Sequence, residues 1–268
     1  MNEAQDFADE SRALTETLER ADAQALRKVT LFKDWTIEDV IAHLHMWNIA
    51  AGLTLDGRDA FQEFFAGVAK HLMAGKTHPQ VQRLWFDETQ NGLHGRALLE
   101  AWRDYCPKLA RAYGDAGPNT RVAWAGPDMT TRSKMIARQM ETWAHGQAVF
   151  DVLGIAREEK DRIRNICHLG VTTYSWTFKN RQEDVPLPKP YVRLTAPSGA
   201  IWEWNDVQDD NAVIGEAVHF AQIVTQTRNV ADTPLQTHGV NAARWMDIAQ
   251  CFAGAPESPP AKGARYKI

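Results

Sequence analysis

The residues with the clearest capacity for chemistry are Glu141 and His145, which lie four positions apart in QMETWAHGQAVFDVLG, residues 139–154. Four residues make about one turn of an α-helix, so both side chains would leave the same face and could reach one point. Glu and His placed in this way inside a helix bundle can bind a metal ion. The spacing also fits an exposed Glu–His pair, although Ala144 and Ala148 on the same stripe leave room beside the two polar groups.

A candidate for the third ligand is His43, in the segment IAHLHMW. The surrounding apolar residues place His43 at the edge of the buried side of a helix, where it would point inward or serve as an ordinary core histidine. His45 lies about 200° around the same helix, so we expect it at the surface or at the mouth of a site. Two imidazoles and a carboxylate suit a divalent ion such as zinc, and also nickel, iron or copper. Three protein ligands would leave one position for water or substrate.

The composition indicates a soluble protein without a nucleic-acid partner. The 268 residues are 44% hydrophobic and 24% charged, with a net charge of -4 and no basic run that could neutralise a phosphate backbone. No segment has the roughly 18 consecutive apolar residues of a membrane span, and the acidic N-terminus lacks the features of a signal peptide. We expect a cytoplasmic protein with no membrane partner. Its oligomeric state stays open, with a monomer slightly favoured.

Cys106, Cys167 and Cys251 are far apart, which predicts buried structural thiols.

Four helices are predicted to position the candidate ligands. Their apolar residues recur with the helical period over residues 2–20, 36–55, 95–113 and 131–153. Thr36 and Asp39 have the spacing of a capping box, and Gly154 is placed to end the last helix. Residues 60–90 are less regular and predict one short helix followed by a break.

The pattern changes after Gly154. One helix is predicted over 157–182, a β-hairpin over 191–206, and two helices over 212–228 and 241–253. We therefore predict a mainly α protein, with a four-helix bundle over residues 1–155, a smaller α+β domain over 156–255 and a loose tail over 256–268.

Two segments, WTIEDVIAHL and GPDMTTRSKMIARQMETWAHGQAVFDVLG, together resemble the mycothiol-dependent maleylpyruvate isomerase family, whose N-terminal domain is a DinB-like metal-binding four-helix bundle. In that family, the residues that correspond to His43, Glu141 and His145 bind zinc. The resemblance continues in order through HLGVTTYSWTF, LTAPSGAIWEWN, GEAVHFAQIVTQTRNVADT and WMDIAQCFAG. It therefore covers nearly the whole chain and implies a sterol-carrier-like α+β second domain.

The resemblance also implies a reaction. A divalent metal, with zinc as the first candidate, would activate a low-molecular-weight thiol such as mycothiol. The activated thiol would isomerise a small, acidic substrate or be transferred to it. Arg228, in TQTRN, matches by position an arginine implicated in the activity of the isomerase. A guanidinium suits a carboxylate, but an arginine at a helix end can also interact with the helix dipole. The resemblance places the site at the open end of the bundle, between the domains.

Two other functions remain open for the same residues. One is a metal-water hydrolase that uses no thiol. The other is a non-enzymatic protein that binds an apolar ligand and uses the metal as a structural clamp.

Overall fold

The computed structural model describes residues 1–22 and 24–265. The chain divides into two compact units, Met1–Leu153 and Gly154–Ile268, beside the boundary expected near residue 155. Within the described ranges, the structure contains no helix with the length and apolar character needed to cross a membrane. The protein is mainly α-helical, as predicted.

Within the described residues, six α-helices build the first unit. They are α1 (Asn2–Arg20), α2 (Ile37–Asp56), α3 (Arg58–Met73), α4 (His78–Thr89), α5 (Gly95–Asp115) and α6 (Thr131–Leu153), and a short hairpin of β1 (Arg121–Val122) and β2 (Met129–Thr130) precedes α6. Helices α1 and α2 each pack against both α5 and α6, which is a four-helix bundle. Phe7, Ile37, Trp102 and Trp143 are fully buried in it. Each such side chain stabilises the folded state by about 1.5–3 kcal/mol.

The ends of the two ligand-bearing helices form as the sequence predicts. Asp39 N donates to Thr36 Oγ1 and Thr36 N donates to Asp39 Oδ2, both at 3.0 Å, which completes the capping box of α2. Gly154 follows the last residue of α6 with φ of 67°, a conformation that glycine adopts without steric cost. These contacts set where α2 begins and where α6 ends.

Helices α3 and α4 cover the outer side of α2. The prediction of one short helix over residues 60–90 was therefore incomplete. The expectation that His45 lies at the surface was wrong: it is 4% exposed, and its ring stacks on Phe86 of α4 at 5.9 Å between centroids. Helix α2 is buried around most of its circumference, which its sequence alone did not show.

The second unit combines a four-stranded sheet with short helices. Its helices are α7 (Arg164–Thr172), α8 (Tyr174–Lys179), α9 (Ala217–Val224) and α10 (Val240–Ile248), and its strands are β3 (Tyr191–Thr195), β4 (Ile201–Trp204), β5 (Ala212–Glu216) and β6 (Gln236–His238). The strand order is β4-β3-β5-β6. Strands β3 and β4 form the predicted antiparallel hairpin, and β5 runs parallel to β3.

Two predicted helices of this unit were wrong. The segment 157–182 is not one helix, because it divides at Thr173, whose hydroxyl donates to the carbonyl of Leu169 at 2.7 Å. The segment 212–228 begins as strand β5, because Ala212–Glu216 finds backbone partners in both β3 and β6. An apolar run such as AVIG does not distinguish a strand from a helix by itself.

The segment predicted to be a loose tail is held against the second unit over its described part. Glu257 N donates to Gln250 Oε1 at 2.9 Å, and the carbonyl of Glu257 accepts from Gln226 Nε2 at 2.9 Å. Asn229 Nδ2 donates to the carbonyl of Pro260 at 2.8 Å. Side chains supply these partners, so the segment is ordered without secondary structure. Residues 266–268 lie outside the described residues.

The three cysteines are buried, as predicted. Burial raises the pKa of the Cys106 thiol to about 12 and also raises the pKa of Cys167. Both thiols therefore stay protonated near neutral pH.

Candidate metal centre

Helices α2 and α6 bring His43, Glu141 and His145 together. His43 Nε2 lies 3.3 Å from Glu141 Oε2, and His145 Nε2 lies 3.2 Å from the same oxygen. One ligand atom from each of the three residues lies within 4.8 Å of the other two. Donor atoms bound at about 2.1 Å to a tetrahedral ion stand about 3.4 Å apart, so the cluster has the dimensions of a divalent-metal site.

The cluster is partly open to solvent. The side chains of His43 and His145 are each 12% exposed, and that of Glu141 is 24% exposed. A structural zinc site is usually closed by four protein ligands, whereas a catalytic one has three and keeps a position for water or substrate. Three partly exposed ligands match the second kind of site.

The charges of the cluster suit metal binding. Burial acts to raise the pKa of Glu141, but its hydrogen bonds with His145 and His43 outweigh burial and hold that pKa well below its usual value. Burial, together with the nearby charge of His145, lowers the pKa of His43 to about 4. At neutral pH the site therefore offers a carboxylate and at least one neutral imidazole, which are the forms that bind a metal.

Gln82 of α4 contacts Nδ1 of His43, the ring nitrogen on the side away from Glu141. Gln82 is fully buried, and its Nε2 lies 3.3 Å from His43 Nδ1. Gln82 Oε1 has no hydrogen-bond partner in the described part of the chain. Rotating the amide by 180° would let Oε1 accept a hydrogen bond from Nδ1–H of His43 and leave the His43 Nε2 lone pair for a metal. Ligand histidines are commonly oriented in this way.

The sequence did not identify Gln82 as a site residue, because helix α4 was not predicted. The start of α4 did carry a signal: Thr77 and Gln80 form a capping box, in which Thr77 N donates to Gln80 Oε1 at 2.9 Å. That motif predicts a helix from residue 78 onward, but it does not place Gln82 beside His43.

A tight turn before α2 covers His145 with two aromatic rings. Trp35 N donates to the carbonyl of Phe32 at 3.0 Å, and Lys33 and Asp34 have φ of 51° and 57°, as in a type I′ turn. Trp35 stacks on His145 with ring centroids 5.7 Å apart and an interplanar angle of 2°, and Phe32 meets the same imidazole edge-on at 4.9 Å. These rings hold the imidazole plane and exclude water from that side of it.

A buried arginine joins the two ligand-bearing helices. Arg138 lies one turn before Glu141 on α6 and is 3% exposed. Its Nε donates to Asn48 Oδ1 at 2.9 Å and its Nη2 to the carbonyl of Leu44 at 3.3 Å, both on α2. The guanidinium thus fixes the register between α2 and α6.

Arg228 belongs to the second unit, whereas all three residues of the cluster belong to the first. It is 5% exposed, lies beyond the end of α9, and donates from Nη1 to the carbonyl of Thr227 at 2.9 Å. Its role in substrate binding stays a prediction.

Comparison with known proteins identifies the family. Residues 7–150, more than half of the chain, match the family of the mycothiol maleylpyruvate isomerase N-terminal domain. The chain belongs to this family. The matched residues include His43, Glu141 and His145.

Two uncharacterized relatives in this comparison come from Mycobacterium tuberculosis strains CDC 1551 / Oshkosh and ATCC 25618 / H37Rv. Each is 34% identical over 225 residues, which cover 83% of this chain and 84% of the relative. The fold is similar to the crystal structure of a histidine-to-alanine mutant of the mycothiol-dependent maleylpyruvate isomerase. That likeness has a TM-score of 0.54 and 16% identity, and it covers 90% of this chain and 94% of the other. It supports the fold of this family member.

Proposed function

We propose that this protein is an enzyme that uses a divalent metal ion, with zinc as the first candidate, and a low-molecular-weight thiol such as mycothiol. It would isomerise a small acidic substrate or transfer the thiol to it. The observation that carries the proposal is the cluster of His43, Glu141 and His145, whose donor atoms have the spacing of a divalent-metal site. The family of the N-terminal domain and the name of the solved relative support the proposal that the enzyme uses a thiol.

Different residues of the first unit would have different roles in such a site. Glu141 and the two histidines would hold the ion, and Gln82 would orient His43. A bound divalent ion would keep a thiol ionised at neutral pH and so make its sulfur a nucleophile. Trp35, stacked on His145, would keep water from one face of that imidazole.

The acidic end of the substrate needs a cation. Arg228 is the candidate in the second unit, because a guanidinium can bind a carboxylate through two parallel hydrogen bonds. Its replacement by Lys should keep the charge but lose the paired geometry, so we expect a higher KM for an acidic substrate. An unchanged KM would remove Arg228 from the proposal.

Two of the protein's three cysteines, Cys106 and Cys167, are unsuited to the nucleophile's role, and the third, Cys251, is buried. Burial raises the pKa of both Cys106 and Cys167, so neither thiol ionises at neutral pH. This supports an external thiol as the nucleophile.

Metal analysis by plasma mass spectrometry tests the first step. The parent protein, purified without a metal-affinity tag, is compared with Glu141→Gln, which keeps the shape of the side chain but removes its charge. The control is Glu63→Gln, at an exposed position of α3. We expect about one equivalent of metal in the parent and control and far less in Glu141→Gln. Equal metal in all three proteins would refute the assignment.

Cobalt substitution tests the second step. A thiol that binds the metal should add a sulfur-to-cobalt charge-transfer band to the absorption spectrum of the cobalt protein. We expect this band with mycothiol and not with its S-methyl derivative. A cobalt spectrum that mycothiol leaves unchanged would exclude the thiol and favour a metal-water hydrolase.

A further inference from the structure

Several buried nitrogen donors of the first unit have no hydrogen-bond acceptor among the described residues, and two of these contact the same aromatic residue. Lys134 on α6 is fully buried, and neither its Nζ nor the indole Nε1 of Trp47 has a hydrogen-bond partner within the described ranges. The two residues share one neighbour. Lys134 Nζ lies 3.1 Å from the centroid of the Trp124 ring, and the rings of Trp47 and Trp124 are 5.5 Å apart.

These donors lie on the two helices that bear the metal cluster. On α6, Lys134, Arg138, Glu141 and His145 follow one another at intervals of four, three and four residues, so they form one stripe. Lys134 is seven residues before Glu141, about 10 Å along the helix axis. On the facing helix, the ring of Trp47 is 6.4 Å from that of His43.

The surroundings of Lys134 do not satisfy a charged amine. Burial lowers its pKa to about 6, with the positive charge of Arg138 acting in the same direction and Asp128 acting against it. The face of Trp124 attracts a cation but accepts no conventional hydrogen bond. Arg138 is already bonded to α2. An unsatisfied amine costs free energy in a folded protein, and such a residue is commonly kept for a function.

A carboxylate group in the place of the Trp124 ring, which both residues contact, could accept from both donors. Its two oxygens can accept from an ammonium and an indole N–H, and its charge would favour the protonated amine. The Trp124 indole covers Lys134 from the turn between β1 and β2, where it can move without breaking a helix. When a carboxylate binds, the amine of Lys134 would exchange its contact with the Trp124 ring for an ion pair.

We propose that Lys134 and Trp47 form a binding subsite for a carboxylate of the substrate, covered by Trp124 until that carboxylate displaces the indole. The subsite lies in the first unit and is separate from Arg228. Only its use in catalysis rests on the proposed function. With the carboxylate held here, the reacting carbon of a short-chain acid would lie several bonds away, toward the metal cluster. A second acidic group would remain for another cation.

Calorimetry on the full-length, metal-loaded protein tests the subsite. Fumarate and the more flexible succinate are the probes, and fumaramide is the uncharged counterpart of fumarate. We expect at least one of the two acids to bind the parent and fumaramide not to bind. Lys134→Met should weaken binding at least tenfold, and Trp47→Phe, which keeps the ring but removes the N–H, about threefold or more. Lys108→Met, at an exposed lysine of α5, should bind like the parent.

Three results would overturn the subsite: neither acid binds the parent, fumaramide binds as tightly as fumarate, or Lys134→Met keeps the parent's affinity. Thermal unfolding without ligand guards against a misfolded variant. Lys134→Met removes an unsatisfied amine from the core, so its Tm should be higher than that of the parent. Weaker binding with a lowered Tm would show that Lys134 has a structural role, and that result also overturns the subsite.

The same samples distinguish this inference from the proposed function. Lys134→Met should retain metal and its cobalt spectrum should still respond to mycothiol, because Lys134 is not a ligand. Glu141→Gln should lose metal and still bind the acid. Acid binding by a parent protein that holds no metal would sink the proposed function and leave the subsite standing.

Discussion

The buried amine of Lys134 should make the stability of the protein depend on pH in a way that one substitution removes. The folded state lowers the pKa of this amine from 10.5 to about 6, chiefly by burial. Between these values the unfolded chain binds one more proton than the folded protein does, so protons favour unfolding. The penalty is absent above about pH 10.5, grows as the pH falls, and is complete below about pH 6.

The size of the effect follows from this difference in proton binding. One proton corresponds to about 1.4 kcal/mol of unfolding free energy for each pH unit. From pH 7 to pH 9, Lys134 should therefore add about 3 kcal/mol of stability to the parent. Lys134→Met lacks this contribution to the slope. At pH 7 the variant should be the more stable protein, by up to about 5 kcal/mol before the lost contact with Trp124 is subtracted.

Urea unfolding at pH 7, 8 and 9, followed by circular dichroism, measures these slopes. The difference between the parent and Lys134→Met cancels every other titrating group, because the two proteins share them. Lys108→Met controls for the loss of a lysine from the surface and should follow the parent. Parallel pH profiles for the parent and Lys134→Met would show that the folded protein holds a charged, well-solvated amine. In that case the reasoning about its missing partner fails.

Other substitutions probe the metal centre and the fold. Gln82→Leu should weaken metal binding about tenfold in chelator competition, while Gln82→Glu, which can still accept from the imidazole, should restore it; equal affinities for all three proteins would exclude the orienting role. Thr36→Ala should lower the unfolding free energy by about 1 kcal/mol through the lost cap, measured in urea. Gly52→Ala should destabilise the protein by about 1–3 kcal/mol, because its Cβ would overlap the hydroxyl of Tyr105. Gly67→Ala, in a helix with open space, should stabilise it by up to about 1 kcal/mol, and equal effects at the two glycines would contradict the packing.

The parts of the site that the sequence predicts are those set by local geometry. Glu141 and His145 are one turn apart on a long helix, so a correct helix assignment was enough to bring them together. The register of α2, which the capping box at Thr36 fixes, made His43 a candidate. Its place beside Glu141 and His145 was implied by the family resemblance, because local signals do not show how α2 packs on α6.

The parts that were missed depend on contacts between distant segments. Gln82 meets His43 only because α4 packs on α2, and that packing also buries His45. The convergence of Lys134 and Trp47 depends on where Trp124 lies after a turn between two short strands. The periodicity of the sequence describes one helix or strand at a time, so it does not predict which residues of distant elements come into contact.

The burial of the cysteines has a practical consequence for any study of this protein. Cys106 and Cys167 are shielded and protonated, so the native fold supplies almost no reactive sulfur background. Under native conditions, an alkylating reagent should therefore label mainly a thiol added from outside. After unbound thiol has been removed, a maleimide or iodoacetamide titration of the retained thiol would report occupancy, and a sudden appearance of protein-borne label would report unfolding instead.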